Sequence, residues 1–166
     1  MAKGTKSRQS RQILIEDATI LFRNFAGKET EKNRKGDRNF CVLLDDDIAA
    51  TLAEDGWNVK ILKPKEEGDE PQPYLQVKVK FEIRPPKIVT ITSGGQTFLT
   101  VDTVETLDYA DIVKADVLIN PYDWEVNGAT GTAAYLKSLY VTIEEDVLER
   151  KYAQVSDADE VLEMED

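Results

Sequence analysis

Residues 74–83 read YLQVKVKFEI, in which Leu75, Val77, Val79, Phe81 and Ile83 alternate with Gln76, Lys78, Lys80 and Glu82. A period of two puts the two sets on opposite faces of an extended chain, so this is a strand with one side in a core and the other in water. Pro85 and Pro86 end it, because proline has no N–H to give to a ladder. Beyond them, KIVTIT and QTFLT flank Ser93-Gly94-Gly95, the pattern of a hairpin. Two longer runs, ADVLINPYDWEV and TAAYLKSLYVTI, are joined by NGATG and form another. Upstream, WNVKILKP reads as a further strand and KEEGDEPQP as a polar turn.

Towards the N-terminus, QILIEDATILFRNFAG reads as one first strand, KETEKNRKGD as a charged hairpin loop and RNFCVLLD as the second strand. Asp45, Asp46 and Asp47 precede IAATLAEDG. An N-cap aspartate, acids in the first turn and Gly56 just past the end frame a helix of about two turns. The aspartates read as a cap in preference to a divalent-cation site, since adjacent cap residues rarely converge on one ion. DTVETLDYADIV (102–113) and EEDVLERKYAQV (144–155) read as short helices. Six or seven short strands with one or two small helices make an all-β fold with minor α, a barrel or a sandwich. The barrel is preferred because long twisted hairpins can close.

A length of 166 residues with 41% hydrophobic content suits one domain with one core. No stretch reaches the roughly 20 apolar residues that cross a bilayer. MAKGTKSRQSRQ lacks the apolar centre of a signal peptide, so a cytosolic protein is expected. Cys41, the only cysteine, lies in NFCVLL and reads as a buried structural thiol. The absence of histidine removes the commonest general base, excludes Ser-His and Cys-His nucleophiles and argues against zinc. GATGT lacks the lysine of a phosphate-binding loop and joins two strands instead of opening a helix. Among 32 acids some carboxylate pairs arise by chance, so they do not argue for glycosidase chemistry. The expectation is a non-enzyme without metal or cofactor.

Charge is distributed unevenly. Met1–Phe40 carries ten Lys/Arg against five acids, a net of +5 in a chain of net −11, while the last ten residues, DADEVLEMED, hold six acids and no base. A basic surface tethered to an acidic segment that imitates a polyanion is the reading. Residues 1–12 are expected as a disordered basic arm, 13–153 as the folded domain and 154–166 as a disordered acidic tail. Aromatics interleave with cations in three places: FRNF with Lys28, Lys32, Arg34, Lys35 and Arg38; Lys78 and Lys80 with Arg84 and Lys87; and Tyr122, Trp124, Tyr135, Lys137 and Tyr140. Single-stranded nucleic acid needs this combination, since cations follow phosphates and aromatic faces stack bases of any identity. Phe22 and Phe40, on apolar strands, read as core. Phe25, beside Arg23 at a strand end, is evenly balanced between core and groove, and Trp124, between Asp123 and Glu125, between core or rim and base contact.

LFRNFAGKETEKNRKGDRNFCVLLD, EDGWNVKILKPKEEGDEPQPYLQVKVKF, PPKIVTIT and LINPYDWEVNGATGTAAYLKSLYVTIEEDVLERKYA, taken in order, resemble bacteriophage-encoded single-stranded DNA-binding proteins. The resemblance covers roughly residues 12–153. It implies an OB-fold-like five-stranded Greek-key barrel, here with an extra hairpin and one or two short helices. It also implies a role in phage DNA replication and recombination in the infected bacterial cytoplasm, and an acidic tail that competes with DNA and recruits replication proteins. Asp166 departs from the aromatic residue that ends several such tails. With strand phase, this places Arg23, Phe25, Lys28, Arg34, Lys35, Arg38, Lys78, Lys80, Tyr135 and Lys137 in a DNA groove. Asp157, Asp159, Glu160, Glu163, Glu165 and Asp166 fall in a partner-binding tail. Monomer and homodimer both stay open. The alternative is an acidic interaction module, a DNA mimic or a minor virion protein, which the net charge favours and the basic loop opposes.

Overall fold

The structure, a computed structural model, describes residues 11–63, 67–82 and 84–144. These residues form β1 (Ile13–Ala18), β2 (Ile20–Asn24), β3 (Arg38–Leu43), α1 (Asp46–Glu54), β4 (Val59–Leu62), β5 (Gln72–Val79), β6 (Lys87–Thr92), β7 (Gly95–Leu99), a 3-10 helix (Val104–Asp108), β8 (Ile112–Val126) and β9 (Ala129–Ile143). The alternation read at 74–83 is realised in β5, where Leu75, Val77 and Val79 are buried and Lys78 is exposed.

The expected single first strand is two. Thr19 separates β1, which pairs with β8, from β2, which pairs with β3. Just before that break, at a bulge between Ile15 and Ala18 in β1, Asp17 takes a positive φ of 51°, and its N–H donates to the Asp116 carboxylate at 2.9 Å. The pairing order β1-β8-β9-β5-β3-β2 therefore begins and ends on the two halves of one bent segment. Along it, β5 and β9 are parallel and the other pairs antiparallel. Counting β1 and β2 as one strand, this is the order of the five-stranded Greek-key OB barrel. β4 extends the sheet beside β5, and the extra β6–β7 hairpin attaches through a parallel β6–β9 ladder. The core fills the barrel with Phe25, Phe40, Val42, Leu75, Val77, Val117, Ile119 and Leu139.

α1 buries Ala49 and Leu52 against this core. Asp45 has the extended N-cap backbone, but its carboxylate makes no capping bond, so the acids act there through their charge near the helix N-terminus. The helix expected at 102–113 is only the short 3-10 segment Val104–Asp108, pinned by buried Val104 and Leu107. The final hairpin turns on two residues, Asn127 and Gly128 (φ 51° and 84°), the left-handed pair that a twisted hairpin favours. Burial pushes the Cys41 thiol up to about 11, which suits a structural role. Among the described residues no helix is long and apolar enough to cross a membrane.

Arg11 and Gln12, assigned to a disordered arm, are bound. Arg11 donates to Asp55 at 3.2 Å, to Asp123 at 2.7 and 2.8 Å and to Thr132 at 2.9 Å, while Gln12 donates to Asn120 at 2.6 Å. The rest of that arm, the helix expected after Glu144 and the acidic tail lie outside the described residues.

Candidate nucleic-acid interface

Two phenylalanines exchange their expected places. Between Leu21, opposite Cys41, and Asn24, opposite Asn39, β2 carries one residue more than β3. Phe22 absorbs it with φ 51°, and its ring turns outward to 56% exposure. Phe25 comes round into the core with no exposure and stacks on Phe40 at 5.2 Å. Phe25 is therefore no base platform, and Phe22 is not core.

The outward face of the barrel has a definite register. Asn24, Asn39, Lys78, Tyr135 and Asn120 lie across β2, β3, β5, β9 and β8 in one row, with Leu21, Cys41 and Gln76 in the next. At one end of this face stands the loop 25–37, at the other the tip of the β8–β9 hairpin. A cleft of about 450 Å³ by the loop is lined by Phe22, Lys28, Lys32, Asn39, Gln76 and Tyr109, among others. A second, of about 270 Å³, is lined by Asn58, Gln76, Lys78, Trp124 and Ala133, among others. Gln76 lines both, so the two clefts adjoin and are treated together as a groove along this face. The outward sides of two central barrel strands, between these two loops, are where OB folds bind oligonucleotides.

The charged loop is folded, not slack. The Asn33 side-chain amide donates to the carbonyls of Lys28, Arg34 and Asp37 at 2.9, 3.1 and 2.9 Å, and its oxygen accepts from Asn39 at 2.8 Å. Asn24 accepts from the Lys28 N–H at 2.8 Å. The Gly36 N–H donates to the Gly27 carbonyl at 2.8 Å, and a Cβ on Gly27 would lie 3.1 Å from the Gly36 backbone. Held this way, Lys28, Lys32, Arg34 and Lys35 all face solvent, and none forms an ion pair with a described residue. At Gly27 (φ 71°) an alanine meets both that backbone and an unfavourable dihedral. Gly27→Ala is expected to destabilise the protein by about 1–3 kcal/mol, read as a lowered urea midpoint.

The other expected groove residues fall into distinct places. Arg23 is half-buried and donates to the carbonyls of Leu107 and Ala110, both at 2.7 Å, tying β2 to the 3-10 segment. Lys28 donates to the Tyr109 hydroxyl at 2.7 Å and lies 5.2 Å from that ring, a contact that raises its pKa. Lys78 is exposed between Asn39 and Tyr135. Lys80 is 3.8 Å from Asp37 and lines a third cleft, of about 510 Å³, with Tyr122 and Tyr135. Those two tyrosine rings stand 5.2 Å apart. Lys137 is exposed further along β9.

Arg38 does not share the outward face expected of it. It shares strand parity with the buried Phe40 and Val42, so it sits on the core-facing side at the barrel end. Its guanidinium lies over Phe81 at 5.6 Å, and its buried Nε finds no acceptor among the described residues.

Phe22, Tyr109 and Trp124 line these clefts, and Tyr74 packs beside Phe22, although strand phase did not select them. Tyr74 meets Phe22 edge-on at 5.9 Å, and Tyr109 is 71% exposed. Trp124 lies flat across the hairpin on Gly131, where an added Cβ would come within 2.5 Å of the indole. That contact was countable: a two-residue Asn-Gly turn pairs residue 124 with residue 131. Asp108, which also lines the groove, is occupied by the N–H groups of Phe25 and Ala26 at 2.7 and 3.0 Å.

The sequence matches the family described as phage ssDNA-binding domain over residues 3–166. Among solved structures the fold is similar to the single-stranded DNA-binding protein from bacteriophage Enc34. For its C-terminal truncation the TM-score is 0.54 at 12% identity, covering 86% of this chain and 94% of that one. For the same protein in complex with ssDNA the TM-score is 0.51 at 11% identity, covering 86% and 95%. A search of curated protein sequences found no match.

Proposed function

The chain belongs to the phage ssDNA-binding domain family, and on that premise we propose that it binds single-stranded DNA without sequence preference in the groove between the loop 25–37 and the β8–β9 hairpin. The supporting observation is that rings and cations share one outward face: exposed Phe22, Tyr109 and Trp124 line the two clefts with Lys28 and Lys78, and half-buried Tyr135 lies beside Lys78. Lys28, Lys32, Arg34, Lys35 and Lys78 hold phosphates, and the rings stack bases. Neither step makes or breaks a covalent bond, so the role is protection of DNA during phage replication and recombination in the cytoplasm of the infected host. A net charge of −11 does not oppose this, because the local field governs capture while net charge governs solubility.

Fluorescence anisotropy with labelled oligo-dT and a matched duplex, across a salt series, tests the reading. The single strand is expected to bind more tightly. Neutralising about five phosphates gives a log–log salt slope of about −3.5. Absence of single-strand binding at low salt overturns it.

The acidic segment Asp157–Asp166 competes with DNA for these cations and, once displaced, recruits replication proteins. Deleting residues 157–166 is expected to tighten oligo-dT binding at low salt, with the difference shrinking as salt screens the competition. Equal affinities of the two proteins at low salt contradict tail competition.

A further inference from the structure

The outward face does not end at Tyr135. β9 continues through a bulge at Lys137 and Ser138, beyond which Leu139 and Val141 are buried and Tyr140 lies on the outer side. There β6 replaces β5 as its parallel neighbour, with Lys87 beside Ser138 and Val89 beside Tyr140, and β7 sets Phe98 opposite Val89. Tyr140, Val89 and Phe98 thus form one row, with Val89 fully buried beneath its neighbours. The Lys87 ammonium lies 5.4 Å from the Phe98 ring and 5.5 Å from the Tyr140 ring. Phe98 is 61% exposed on a hairpin outside the five-strand barrel. Core packing does not account for an exposed phenylalanine there, and exposed apolar side chains on an edge strand favour aggregation. Lys87 forms no ion pair with a described residue. Asp116, in register with Tyr140, accepts the Asp17 N–H.

We propose that Lys87, Phe98 and Tyr140 form a second stretch of the single-stranded DNA path, continuous with the groove through Tyr135 and Lys137. This rests on the groove being the DNA site. The Lys87 ammonium takes a phosphate, and Phe98 offers its free ring to a base. From Tyr135 to Tyr140 the strand rises about 16 Å, so the second stretch is reached only by a strand that overruns the groove.

The test uses the full chain with oligo-dT of about 6 and about 16 nucleotides, lengths within the span of OB-fold sites. Phe98→Ala is expected to weaken the long oligonucleotide about 5- to 150-fold and leave the short one unchanged. Lys87→Gln is expected to reduce the salt slope for the long oligonucleotide alone by about 0.7. Melting temperatures check folding: Lys87→Gln should match the parent, and Phe98→Ala, which uncovers Val89, should melt slightly lower yet stay folded at the titration temperature. Equal behaviour of both variants and the parent at both lengths overturns the second stretch while the groove stands. So does a change of oligomeric state in place of affinity, which assigns the patch to a second copy of the chain. Parent protein that binds neither length overturns both readings.

Discussion

Phe25→Ala is expected to lower the free energy of unfolding by about 3–5 kcal/mol, the range for removing a buried aromatic ring. The ring has no exposure and stacks on Phe40, so truncation leaves a cavity where β2 passes into the basic loop. With total stabilities of about 5–15 kcal/mol, that is a large share. For a domain of this size it corresponds to a melting temperature lower by about 6–20 °C. The loss should come through folding and not through a missing base contact. Below its own transition the variant should keep most of its affinity for oligo-dT. Thermal melts followed by circular dichroism decide it, and a parental melting temperature would put Phe25 outside the core.

Phe22→Ala should do the reverse. Its ring is more than half exposed and meets Tyr74 edge-on at the groove wall. Removing it should cost about 1–3 kcal/mol of DNA binding, or about 5- to 150-fold in Kd. Stability should stay within about 0.5 kcal/mol, as for most surface changes. Anisotropy titrations beside the same melts separate the two variants. Unchanged affinity in Phe22→Ala would take the DNA path away from the loop-side cleft.

This pair also marks how far the sequence could be read. Periodicity shows which face of β5 is wet, and the Asn-Gly turn sets the register of β8 against β9 as far as Ile119 and Leu136, beyond which a bulge shifts it. It failed where the backbone broke phase. A left-handed φ at Phe22 is unusual for a bulky residue, and one extra residue exchanges the faces on either side of it. The bend at Thr19 was hidden for a related reason, since no glycine or proline marks it and apolar residues resume at Ile20 while the pairing partner changes. The face of Arg38 was legible: two residues from a core phenylalanine on the same strand, it had to share that face. The cations of the loop were plain in the sequence. The asparagines that shape it were not, because their partners are loop carbonyls set only by the folded chain.

The most direct measurement is tryptophan emission during titration with oligo-dT. Trp57 is buried at 4% exposure and bonded to Asp55 at 3.0 Å, whereas Trp124 is 37% exposed in the groove beside Lys78. A base stacked on Trp124 quenches it, so the parent protein should lose emission as DNA binds. Trp124→Phe should still bind by anisotropy but show almost no quenching. Quenching that persists undiminished in Trp124→Phe would contradict the groove as the path of the DNA.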